Sequence, residues 1–119
     1  PINLPMPDDS LRWSSPEVII DGQYSKASDM WAFGVLIWEV FTLIDKDLDE
    51  SDEEIITYPY HQLSSKEQIL SYIQKEKRLG KPDNCPDWLY EMMVRCWKYN
   101  SQDRANVQDI VNCISEHIY

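Results

Sequence analysis

The side chains with the most chemical potential are crowded into one stretch. Asp45, Asp47, Asp49, Glu50, Asp52, Glu53 and Glu54 place seven acids in ten positions, relieved only by Lys46. Carboxylates at that density could hold Ca²⁺, but the D-x-D-x-D start at Asp45 lacks the central glycine and the closing glutamate of a calcium loop. The plain reading is a solvated loop over residues 44–58. Its end, Glu53-Glu54-Ile55-Ile56-Thr57-Tyr58-Pro59-Tyr60, sets acids just ahead of tyrosines. Phosphorylation at Tyr58 or Tyr60 would add further negative charge and create a docking site for a phosphotyrosine-reading domain. His61 and His117 lie far apart in sequence without ligand neighbours, so surface or packing roles are expected and no metal site. Cys85, Cys96 and Cys113 lack C-x-x-C spacing and read as reduced thiols that pack as small hydrophobes.

These groups must be carried by a single small domain. The chain has 119 residues, 43% hydrophobic, with 11 Lys and Arg against 21 Asp and Glu and a net charge of -10. That field repels nucleic-acid phosphates and anionic lipid, so no nucleic-acid partner is expected. The longest nearly uncharged apolar stretch, Met30 to Ile44, is interrupted by Glu39. It is shorter than the roughly 20 residues that cross a bilayer, and no direct membrane contact is expected. The opening Pro1-Ile2-Asn3-Leu4-Pro5 has neither the basic start nor the apolar core of a secretory signal.

The periodicity is helical throughout, and no alternating strand stands out. Ser15-Pro16-Glu17 supplies an N-cap hydroxyl, a proline at the first helical position and an acid in the first turn of a short helix that Asp21-Gly22 ends. Ser25 to Ser28 caps a second helix, from about Asp29 to Thr42, apolar nearly all round and therefore expected at the centre of the core. Ser64 with Glu67 forms a capping box for a helix from Ser65 to about Lys77. Cys85-Pro86-Asp87 opens another, to about Tyr99, with Leu89, Met92, Met93, Cys96 and Trp97 facing inward. Asn106 with Asp109 caps the last, which carries Val107, Ile110, Val111, Ile114 and Ile118. Trp31, Trp38, Trp88 and Trp97 fall on helices and read as core. The expected class is all-α, about five helices packed around a central buried helix.

Four stretches carry a family resemblance. Leu11-Arg12-Trp13-Ser14-Ser15-Pro16-Glu17, Ser28-Asp29-Met30-Trp31-Ala32-Phe33-Gly34-Val35, Lys81-Pro82-Asp83-Asn84-Cys85-Pro86, and Cys96-Trp97 followed by Arg104 resemble, in order, the C-terminal lobe of a protein tyrosine kinase domain, most like receptor-type members. The resemblance runs from the end of the activation segment, residues 1–15, to the last helix, and residues 44–58 stand out as an acidic insertion. It implies that Glu17 and Arg104 form a buried ion pair tying the activation segment to the lobe. It implies that Asp29 organises the catalytic loop, and that Trp13 and Ser14 belong to the substrate-facing loop. Three positions depart from the family pattern: Ser14 stands where a larger residue is common, Ser15 replaces alanine and Ala105 replaces proline.

Phosphoryl transfer also needs a Gly-rich loop, a paired lysine, a catalytic aspartate and a metal-binding aspartate. None of these motifs occurs in the sequence, whose three glycines are Gly22, Gly34 and Gly80. In the family they precede the matched stretch, so the resemblance implies truncation: the N-terminal lobe and catalytic loop are absent from this chain. No catalytic residue, cofactor or metal is therefore assigned here, while ATP and Mg²⁺ are implied for a full-length parent. The implied partners are tyrosine-bearing protein substrates, the missing N-terminal part of the domain and phosphotyrosine-reading domains. The implied location is the cytoplasmic side, with a plasma-membrane receptor as one type of parent. The competing reading is a non-catalytic, pseudokinase-like or truncated interaction module.

Overall fold

The computed structural model describes residues 9–48 and 59–118. Among them are helices α1 (Pro16–Asp21), α2 (Lys26–Leu48), α3 (Lys66–Gln74), α4 (Asp87–Cys96) and α5 (Val107–Ile118), with 3₁₀ turns at Asp9–Trp13 and Ser101–Asp103 and no strand. The all-α class follows as expected. α2 is the spine: α4 and both 3₁₀ turns pack on it, α3 sits against α1 and the first turn, and α5 lies on α4.

Local chemistry sets the helix ends. Ser15 takes the extended backbone of an N-cap, but its hydroxyl makes no cap bond. α1 is started instead by Pro16, whose fixed φ and missing N–H suit the first helical position. Gly22, at φ 67°, stops it in the left-handed conformation that glycine alone adopts without Cβ strain. The expected cap of α2 is present and reciprocal: Ser25 N–H donates to Ser28 Oγ at 2.7 Å and Ser28 N–H donates to Ser25 Oγ at 3.2 Å. At α3 the cap is one residue later than expected. Ser65 Oγ accepts from Gln68 N–H at 3.2 Å, and Gln68 Oε1 reaches back to accept from Ser64 N–H at 2.7 Å. In α5, Asn106 and Asp109 bond reciprocally at 2.8 and 3.0 Å, as their spacing predicts.

α2 corrects two expectations. It continues to Leu48, so residues 44–48 are helical and not part of a loop; residues 49–58 lie outside the described residues. The chain offers no glycine or proline between Val35 and Tyr58. Once nucleated, a helix gains a hydrogen bond for each residue added, and acidic side chains alone do not halt it. The 19-residue run Lys26–Ile44 is also long and apolar enough, by composition, to cross a membrane. Its Trp31 and Val35 are instead fully buried in the protein core. The helix is nevertheless covered on one side only: Phe33, Leu36, Val40, Leu43 and Ile44 are exposed.

The core joins Trp31 and Val35 of α2 to Ile69 and Ile73 of α3 and to Met93 and Cys96 of α4. At Gly34, α2 packs tightly against the end of α4, since a Cβ there would lie 2.7 Å from Trp97 Nε1 and 3.0 Å from Cys96 Cβ. That indole donates to Trp31 O at 3.3 Å, locking the two helices together. Trp38 is only half-buried and donates to Gly80 O at 3.0 Å, while Trp88 stacks on His117 at 4.5 Å between ring centroids. None of the three cysteines forms a disulfide, and burial pushes the Cys96 thiol up to about 11.

Candidate functional site

Arg104 organises a fully satisfied polar site. Its side chain is fully buried, and each of its five N–H groups has an acceptor. Two donate to the Glu17 carboxylate in a bidentate pair, Nη1 to Oε2 at 2.5 Å and Nη2 to Oε1 at 2.7 Å. The others reach Lys98 O at 2.7 Å, Tyr99 O at 3.0 Å and Ala27 O at 3.2 Å. One guanidinium thus fastens the first turn of α1, the start of α2 and the segment after α4. It also lies over the Trp31 ring, 5.1 Å from the centroid. Partial burial, the largest single influence, raises the Glu17 pKa, but the hydrogen bonds from Arg104, the local backbone hydrogen bonding and the Arg104 charge together outweigh it, and the carboxyl is held below its ordinary value.

Trp13 and Ser14 are placed by the 3₁₀ turn Asp9–Trp13. Ser14 N–H donates to Leu11 O at 3.1 Å and Ser14 Oγ to Ser10 O at 3.0 Å. Trp13 Nε1–H donates to Glu39 Oε1 at 2.5 Å. That contact explains the single acid inside the apolar run of α2: it is an anchor for the loop before α1. Arg12, one residue earlier, is buried and donates to Pro59 O at 3.1 Å and Tyr60 O at 2.9 Å. Neither Glu39 nor Arg12 stood out in the sequence as a positioning residue. An acid interrupting an apolar helix was the available signal for the first, whereas the second bridges 47 residues and leaves no local pattern.

Asp29 lies in the exposed first turn of α2, where its carboxylate bonds no described residue. It lines a groove of about 660 Å³ between the start of α2 and residues 101–108, together with Met30, Ala105 and Val107. The structure thus brings Asp29 beside Arg104 while Trp13 and Ser14 stand on the other side of α1 in sequence, joined to α2 through Glu39. Tyr58 lies outside the described residues. Tyr60 is corrected: it is 2% exposed, its hydroxyl is buried with no partner among the described residues, and burial raises its pKa. Arg12 holds its backbone carbonyl and Tyr72 meets its ring edge-on at 5.9 Å, so it is a core residue and no accessible acceptor of phosphate.

No group of three His, Cys, Asp or Glu that could hold a metal occurs among the described residues, and the sequence carries no Gly-rich phosphate loop.

Comparison with known proteins agrees with the arrangement. A family model for protein tyrosine and serine/threonine kinase matches residues 6–114. The insulin-like growth factor 1 receptor of Bos taurus is 38% identical over 91% of this chain, which covers 15% of that receptor. The inactive tyrosine-protein kinase RYK of Caenorhabditis elegans is 39% identical over 86% of the chain, covering 15% of that protein, and the insulin-like receptor of Drosophila melanogaster 40% over 85%, covering 4%. The chain therefore spans a small part of the length of each of these relatives. With the family matched across most of its length, the chain belongs to the protein tyrosine and serine/threonine kinases, as a piece of a kinase domain's C-terminal lobe most like that of receptor-type tyrosine kinases.

Proposed function

We propose that the full-length protein is a receptor-type tyrosine kinase in which this segment presents the protein substrate, while the preceding part of the domain holds ATP and Mg²⁺ and supplies the catalytic aspartate. The observation that carries this reading is the Glu17–Arg104 clamp, with every donor satisfied. A guanidinium so fully paired fixes the segment through Trp13 and Ser14 against the lobe. A fixed platform is what an in-line displacement needs, because phosphoryl transfer relies on positioning and electrostatics. Trp13 and Ser14 then line the surface beside the residue after the target tyrosine. Asp29, at the mouth of its groove, accepts hydrogen bonds from the catalytic loop's backbone and acts as a positioning residue. The substrates are proteins bearing tyrosine, and the lobe faces the cytoplasm beneath a plasma-membrane receptor.

A second reading is favoured by two specific observations: three of the similar relatives, the RYK protein and the tyrosine-protein kinase 7 of Mus musculus and of Homo sapiens, are named inactive, and Ser14, Ser15 and Ala105 depart from the family pattern. In it the full-length protein binds partners without transferring phosphate. The test is an assay of the full-length protein with labelled Mg·ATP and a Glu–Tyr copolymer. Label on tyrosine supports the kinase; none, in a sample that still melts cooperatively, supports the binding module.

A further inference from the structure

The five tyrosines with a described environment differ sharply in what their hydroxyls can reach. Tyr60 is enclosed. Tyr90 donates its hydroxyl to Leu79 O at 2.6 Å. Tyr72 is half-buried, in edge contact with Tyr60 and with Lys77 Nζ 5.7 Å from its ring centroid. Tyr99 is exposed at its ring, but Gln74 meets its hydroxyl at 3.5 Å and Arg104 grips its backbone carbonyl. Tyr24 is unlike the rest: it is 74% exposed, its hydroxyl bonds no described residue, and it sits in the non-helical link between α1 and α2.

We infer that Tyr24 is a phosphorylation site on the folded protein, modified by a protein tyrosine kinase using ATP. In the transfer, the Tyr24 phenolic oxygen forms a bond to the γ-phosphorus as the bond to the ADP oxygen breaks, and the phenolic proton passes to the modifying kinase's catalytic base. An acceptor must put a free hydroxyl in line with that phosphorus, together with a short stretch of backbone outside any helix. The link from Gly22 to Ser25 is such a stretch, whereas Tyr72 and Tyr90 lie within α3 and α4. Lys26 follows two residues on, at the first position of α2, so the added dianion would have a cation close by in the chain at the positive end of that helix. Asp21 and Asp29 flank it and oppose the charge. The product is an exposed phosphotyrosine of the kind that Arg-bearing reader domains take. The inference stands whether or not the full-length protein itself transfers phosphate.

The experiment uses the folded full-length protein and an active tyrosine kinase selected because it phosphorylates an isolated peptide centred on Tyr24. Site-resolved mass spectrometry gives the initial rate at each tyrosine, and each rate is divided by that of the matching synthetic peptide. Tyr24 should keep a ratio near one, while Tyr60, Tyr72, Tyr90 and Tyr99 should fall by about tenfold or more, because their modification waits on local opening. Tyr24→Phe should remove that phosphopeptide and leave the other four ratios unchanged. A Tyr24 ratio as low as the other four would overturn the inference.

Discussion

At the scale of single residues, burial decides which groups matter. Removing one partner of the Glu17–Arg104 pair leaves a charge without its counter-ion among packed groups, an effect that costs about 3–5 kcal/mol. Arg104→Lys keeps the charge but cannot reproduce five donors in a planar fork, so it should destabilise nearly as much as Arg104→Ala in urea unfolding. The pair also fixes an acid response. Because the folded Glu17 pKa lies below its ordinary 4.5, the stabilisation is complete above that value and is lost as pH falls through the depressed folded pKa. The stability gap between wild type and Glu17→Gln should therefore be constant near neutrality and shrink only below about pH 4.5. A gap that closed between pH 6 and 8 would show that some other group carries it. Tyr60 presents the converse case, a hydroxyl buried with no partner among the described residues. Tyr60→Phe removes an unpaid desolvation cost and should raise stability by about 1 kcal/mol, read from the urea midpoint.

At the scale of elements, the contact between α2 and α4 is set by the absence of a side chain at Gly34. Gly34→Ala would gain about 1 kcal/mol of helix propensity. It would also drive a methyl group to within 2.7 Å of the Trp97 indole, which is held by its bond to Trp31 O and has nowhere to retreat. Overpacking of this kind costs about 1–3 kcal/mol, so the substitution should lower the melting temperature despite the better helix former. The sequence disclosed elements whose information is local. The Ser25–Ser28 and Asn106–Asp109 caps, the inward Met92, Met93, Cys96 and Trp97, and the Glu17–Arg104 pairing through the family resemblance were all legible. The cap at Ser65 was off by one because Ser64 and Ser65 are both competent, and Gln68 satisfies the earlier amide as well as a glutamate would. The run of α2 to Leu48 was hidden by composition, since acidity marks solvent exposure and says little about backbone. The burial of Tyr60 was hidden for a different reason: Arg12, which holds its carbonyl, lies 48 residues away, a separation that no sequence window spans.

At the scale of the whole molecule, two properties oppose each other. α2 shows Phe33, Leu36, Val40, Leu43 and Ile44 to solvent at helical spacing, and α5 adds Val107 and Val111. Exposed apolar faces of that kind favour association of any form of the protein in which nothing covers them. The net charge of -10 pushes copies apart, and it does so over a distance that salt controls, about 30 Å at 0.01 M and 10 Å at 0.1 M. Residues 1–119 expressed alone should therefore be most nearly monomeric in dilute buffer and associate as salt is added, the reverse of a contact held by ion pairs. Leu36→Glu with Val40→Lys places a favourable i, i+4 pair in the middle of the stripe without changing the net charge. Both positions are exposed, 52% and 46%, so the core formed by Trp31 and Val35 on the other side of the helix is left intact. Sedimentation velocity over a salt series should show the wild type gaining mass while the double variant stays monomeric. If the variant instead follows the wild type at every salt concentration, the α2 stripe is not the contact, and the apolar face of α5 becomes the next one to charge.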